Sequence, residues 1–207
     1  MGLLNLLTSD PVTFFCLAIP LLYSIIIHEL AHGWVAWRMG DPTAKWAGRL
    51  TLNPLKHLDP IGTAMLFLAG FGWAKPVPVN ISNIADQRKG LILVSSAGII
   101  ANMTLAFLAL LAWRILAPPT DGITAKILYY LAQINIMLAS FNLIPIPPLD
   151  GSKILMGFSS PKVQYALSRL EPYGFFVIIA LLFFGILNPV IALFRWIILA
   201  AIGLLLP

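Results

Sequence analysis

Charge is what this sequence has least of. Only 10% of its 207 residues are charged, 59% are hydrophobic, and the mean hydropathy is +0.91. Soluble domains carry roughly 25% charged residues, so this chain lacks the polar surface that keeps a compact globule in water. A soluble enzyme is excluded on that ground. Cysteine is nearly missing too: Cys16 stands alone inside an apolar run, which excludes disulfides and cysteine metal clusters. A net charge of +5 and a pI near 9.6 would suit nucleic acid, but no basic stripe or aromatic-flanked Lys/Arg cluster accompanies them. Nucleic acid is therefore not an expected partner, and the basic residues read as topology signals. Residues 1–7 lack a positive leader region and no small-residue cleavage site follows the first apolar run, so that run is expected to stay in the mature protein.

What the chain has in excess is long apolar stretches. A helical crossing needs about 20 apolar residues, which leaves room for five or six crossings with short connectors. The runs cover 12–37, 61–74, 90–113, 127–149, 173–187 and 190–206. The second is short and ends in Lys75-Pro76-Val77-Pro78-Val79. If it is re-entrant, ten of the thirteen Lys and Arg residues collect on one side and only Arg114 and Lys126 face the other, with Arg195 inside the last run. If it spans, the bias vanishes. The re-entrant reading puts the N-terminus outside and the connectors 38–60, 75–89 and 150–171 in the cytosol. Partial alternation in 45–52 and at Val77, Val79 and Ile81 fits either a small sheet or an amphipathic interfacial loop. The expected fold is an all-α polytopic protein of the cell membrane, embedded in the lipid bilayer. It has about five transmembrane helices, a re-entrant segment and a possible small β-element at the cytosolic interface. One membrane-embedded domain covers 1–207, with a core over about 11–155 and a C-terminal helical hairpin over about 172–206.

Two of the three histidines and one of the two glutamates fall in His28-Glu29-Leu30-Ala31-His32, inside an apolar run. On a helix His28 and His32 lie one turn apart on one face and can converge on a metal, with Glu29 beside them to take a proton from a metal-bound water. The alternative is polar residues that bond helices together. An ionisable group at membrane depth costs about 2.5 kcal/mol or more, so three on one turn need a countercharge, and a divalent cation supplies it. A catalytic zinc wants three protein ligands. Neither Cys16 nor His57 is well placed, so the third is expected to be Asp150, at the end of the proline-broken run that starts at Asn142. The competing reading of Asp150 is a solvated helix-end acid beside Lys153. Re-entrant topology puts Asp150 and the histidines at the same membrane face. Asn102 and Asn142 fall at a similar depth; for Asn102, helix packing beside Ala97 and Ala101 competes with a role in the site. Asn135 reads as interhelical glue.

The helix with His28-Glu29-x-x-His32, the Asn142-x-x-Pro145-x-Pro147-x-x-Asp150-Gly151 motif and the 72–80 segment together resemble the site-2 protease family of intramembrane zinc metalloproteases. The resemblance covers about residues 20–160. It implies one Zn2+ held by His28, His32 and Asp150, catalysis by Glu29, and substrate binding by Asn142 and Pro145. Asn102, Val77 and Val79 are further substrate-site candidates, the two valines as an edge that holds an unwound segment. Where many relatives have Ala-Gly-Pro, this chain has Ala97-Gly98-Ile99 but keeps Asn102. No PDZ or CBS domain is expected. The expected activity is cleavage of transmembrane segments of other membrane proteins. A zinc-binding transporter or an inactive scaffold is the alternative, although no related halves are visible in the sequence.

Overall fold

The computed structural model describes residues 3–69 and 72–206. Helix α1 is Leu3–Ser9 and α2 is Pro11–Arg38. Asp10 starts α2 by accepting the Thr13 N–H, with Pro11 in the first helical position, where its missing N–H costs nothing. Helix α3, Thr43–Trp46, is a single turn, and α4 is Pro60–Ala69. Helix α5, Gln87–Leu116, is capped by Asp86 and closed by Ala117 in the left-handed conformation at φ 40°. Helix α6, Ile123–Asn142, stops there because Pro145, Pro147 and Pro148 cannot continue it. The sequence expectation ran this segment to 149; the chain instead turns through 143–149 and starts α7, Asp150–Phe158, at the aspartate itself. Helix α8 is Pro161–Leu170, α9 is Gly174–Phe183 and α10 is Asn188–Leu205.

Among the described residues five stretches are long and apolar enough to cross a membrane: α2, α5, α6, the combined 161–183 stretch, and α10. The protein is an all-helical, multi-pass membrane protein. The first three pack on one another, and Ile99, Ala106, Ile136 and Ala139 join Ile198 and Ile202 of α10 in the main core cluster. The last two stretches are buried over only 11% of their windows, against 33–39% for the first three, so the C-terminal part is peripheral to the bundle.

No strand forms among the described residues. Residues 43–46 are helical, Ile81–Asn83 is a 3₁₀ turn, and Val77 and Val79 sit in chain without regular secondary structure between them. The sheet alternative for 45–52 and 77–81 is thereby replaced by a loop layer: Trp46, Ala47, Gly48 and Arg49 close helical turns on the backbone of 42–45, and Val77 and Asn80 donate to the carboxylates of Glu29 and Asp41. The Asn80 N–H and the Asn83 amide both donate to Asp41, at 2.7 Å each, and Asp41 also takes the Thr43 N–H and hydroxyl. An isolated antiparallel bridge joins Leu58 to Ala74, and the Lys75 N–H donates to the His57 carbonyl at 2.8 Å. The two ends of the segment containing α4 therefore meet.

Candidate metal centre

Helix α2 brings His28 and His32 to one face, as their spacing requires, and the turn that starts α7 brings Asp150 against them. The three donor atoms form a small triangle. The Nε2 atoms are 3.0 Å apart, and each lies 3.2 Å from Asp150 Oδ2. All three residues are at least nine-tenths buried. Although close to both imidazoles, Asp150 Oδ2 accepts a hydrogen bond from neither.

The reason lies behind the histidines. His32 Nδ1 faces the Val94 carbonyl at 2.7 Å, an acceptor that cannot be reoriented, so Nδ1 carries the proton and Nε2 a lone pair. For His28 the same assignment is made through a chain of amides. Asn135 Nδ2 donates to the Leu131 carbonyl at 2.8 Å and to Ser24 Oγ at 2.7 Å, which leaves Asn135 Oδ1 to accept from Asn102 Nδ2 at 2.7 Å. Asn102 Oδ1 is then left to accept from His28 Nδ1 at 2.5 Å. Backbone carbonyls thus fix both tautomers, and two imidazole lone pairs and a carboxylate oxygen point at one another with no proton between them. Such an arrangement is repulsive unless a cation occupies its centre. The size fits as well: a tetrahedral zinc with bonds of about 2.0–2.1 Å separates its ligands by about 3.3 Å, close to the edges of this triangle.

Glu29 points the other way, into a cavity of about 520 Å³ that the two histidines and Asp150 also line. Its Oε2 accepts the Val77 N–H at 2.7 Å. Gly33, one turn further along α2, makes that approach possible: a Cβ there would lie 2.8 Å from both Leu50 Cδ2 and Val77 Cγ1. Gly98 plays the same part on α5, since a Cβ on it would stand 2.5 Å from His32 Nε2 and 2.6 Å from His28 Cε1.

Val77, Val79 and Asn142 line the cavity, and Asn142 also bonds back to the Leu138 carbonyl at 3.0 Å. Pro145 is exposed and outside the cavity lining, where Pro148 stands instead. Asn102 is fully buried behind His28 rather than in the cavity. Asn135 bonds helices together and also supports Asn102. His57 is held by the Thr51 carbonyl at 2.8 Å, away from the donor triangle. Sequence reasoning missed three contributors. Val94 acts through its carbonyl and so leaves no side-chain signal. Asp41 ties the 77–83 loop to the end of α2. Glu171, the second of only two glutamates, lines the cavity from the 3₁₀ turn ahead of α9, and its scarcity could have marked it.

Residues 117–185 match the family described as peptidase family M50. The protein named "Putative zinc metalloprotease YwhC" of Bacillus subtilis is 43% identical over 173 residues, covering 80% of this chain and 78% of its own. Those named "Putative zinc metalloprotease Rip2" of Mycolicibacterium smegmatis and Mycobacterium tuberculosis are each 34% identical over 173 residues, covering 81% of this chain and 66% of their own length. No solved structure matches the chain. With 43% identity to YwhC over four-fifths of its length, the chain belongs to peptidase family M50, the site-2 protease family.

Proposed function

We propose that this protein is a zinc-dependent intramembrane endopeptidase that cuts transmembrane segments of other membrane proteins near the cytosolic face. The observation that carries the reading is the proton-free triangle of His28 Nε2, His32 Nε2 and Asp150 Oδ2 at the wall of a cavity that also holds Glu29. A zinc ion bound there supplies Lewis acidity to a water molecule and to the scissile carbonyl. The chain's own residues do the rest. Glu29 Oε2 is anchored by the Val77 N–H, which leaves Oε1 free to take a proton from the attacking water and return it to the departing amine. Asn102 and the Val94 carbonyl keep the two imidazoles in the ligating tautomer.

A substrate helix has every carbonyl bonded within itself and must be unwound before it can be cut. The irregular chain at 77–79, which lines the cavity, offers a place to hold it. The Val77 N–H is taken by Glu29 and the Asn80 N–H by Asp41, while the Val79 N–H bonds to nothing among the described residues. One turn of strand addition at Val79 would place a substrate backbone along the cavity. The pairing of Leu58 with Ala74 supports a re-entrant α4: ten residues of helix rise about 15 Å, half of the hydrocarbon thickness, and both ends return to one place. Together with the cation bias this supports an N-terminus outside and a cavity toward the cytosol.

The test is cleavage of a model membrane-spanning substrate by purified protein, with and without a chelator. Glu29→Gln should abolish cleavage while one zinc per chain stays bound. Retained proteolysis in that variant would sink the proposal.

A further inference from the structure

Arg195 is the one cation that the topology count left inside a span, and the structure gives it little to do. It sits on α10 beside α6, where its guanidinium donates to Gln133 Oε1 at 2.6 Å. Three and seven residues further on, Ile198 and Ile202 join Ile136 and Ala139 in the core, so α10 runs alongside α6 in the same direction. Gln133 lies seven residues, about 10 Å, beyond Lys126, and nine residues, about 14 Å, before Asn142. Lys126 in turn bonds to Thr13 at the outer end of α2. Arg195 is therefore near the middle of the bilayer.

A guanidinium carries five N–H donors, and among the described residues a single hydrogen bond and no carboxylate answer them. Arg195 is exposed on the outer surface of the bundle, which in the topology proposed above faces lipid tails. Charged groups at this depth normally face a bundle interior or a partner. The helix face next to it is apolar and uncovered: Ala192, Trp196, Leu199 and Gly203 lie on one side at helical spacing and all are exposed.

We propose that this face of α10 docks a transmembrane helix of another protein that carries an acidic side chain at mid-membrane depth, paired with Arg195. A second copy of this chain is not the occupant the charges favour. Its acids at membrane depth, Glu29 and Asp150, both line the cavity, so a two-fold contact would set Arg195 against Arg195. No residue of α10 lines that cavity, so the docked helix is held apart from the segment being cut.

The test uses the full chain in nanodiscs of zwitterionic lipid and labelled Leu/Ala transmembrane peptides, with binding read by energy transfer. A peptide with glutamate at its centre should bind about tenfold more tightly than one with leucine there or with the glutamate moved to its end. Arg195→Leu should erase the difference with zinc content unchanged, Arg195→Lys should keep part of it, and Arg195→Glu should transfer the preference to a lysine-centred peptide. Equal binding of the glutamate and leucine peptides by the unaltered protein would overturn the proposal, and that comparison needs no variant. It would also be overturned if a preference appeared only in anionic lipid and without regard to peptide sequence, which assigns Arg195 to headgroups. Loss of self-association in Arg195→Leu would overturn it in favour of a second copy.

Discussion

Replacing Asn102 by leucine tests the amide chain behind the metal centre. The substitution keeps the volume of a buried side chain and removes the acceptor that holds the His28 Nδ1 proton. Two things follow. The Nδ1–H loses its partner in a dry site, a penalty of about 1–3 kcal/mol while the ring stays in the ligating tautomer. The ring can escape that penalty by moving the proton to Nε2, where Asp150 Oδ2 waits 3.2 Å away, and a protonated Nε2 cannot bind zinc. Either route weakens the metal site by a similar amount, on the order of 10- to 100-fold in affinity, which corresponds to about 1.4–2.7 kcal/mol. Competition titration with a chromogenic chelator in detergent measures it directly. Asn135→Leu should do less, because Asn102 keeps a second anchor in the Ser24 carbonyl at 3.4 Å. Cleavage should fall with zinc occupancy and return when zinc is added in excess. If Asn102→Leu held zinc within about twofold of the unaltered protein, the tautomer argument would be wrong. It would also be wrong if activity vanished with the metal fully bound.

Three further outcomes are expected. Gly98→Ala should lower zinc content, because its methyl group would stand 2.5 Å from His32 Nε2 and the ring has no room to retreat; metal analysis of purified protein reads this, and full occupancy would contradict it. Val79→Pro should slow cleavage with zinc retained, whereas Val77→Pro should abolish catalysis through Glu29, whose carboxylate loses its only backbone donor; a rate split between turnover and substrate affinity separates the two. Burial pushes the Asp41 carboxyl up, but hydrogen bonds from Thr43, Asn80 and Asn83 outweigh it and leave the folded group below its ordinary value of 3.8. A depressed acid stabilises the fold above its unfolded value and loses that contribution as pH falls through the folded one, so protection against hydrogen exchange at 80–83, relative to the intrinsic rate at each pH, should be lost only below about pH 3.8; protection already lost near neutral pH would assign the effect to another group.

Much of the site was legible because charge is scarce. With two glutamates and three histidines in the chain, the crowding of His28, Glu29 and His32 into five residues needed no structure to stand out. The prolines after Asn142 marked a break in the helix, and Asp150 beyond them was the one acid at a suitable depth. Less legible was anything that works through backbone. The carbonyl of Val94 and the N–H of Val77 leave no trace in residue type, and the alternation of Val77, Val79 and Ile81 suggested pairing that the loop satisfies through Asp41 instead.

The sequence by itself determined that this is a membrane protein, where its cations lie along the chain, and that a histidine pair at metal-ligand spacing sits within an apolar helix. Those conclusions depend on composition and on the 3.6-residue period, which are local properties. Only the tertiary structure decided that three proton acceptors meet in one small triangle, that Asn102 stands behind a histidine rather than in the cavity, and that Arg195 is left exposed beside Gln133. Each of these depends on which atoms from different helices come within hydrogen-bonding distance, and a change of a few tenths of a turn in any helix, invisible in the sequence, would alter the answer.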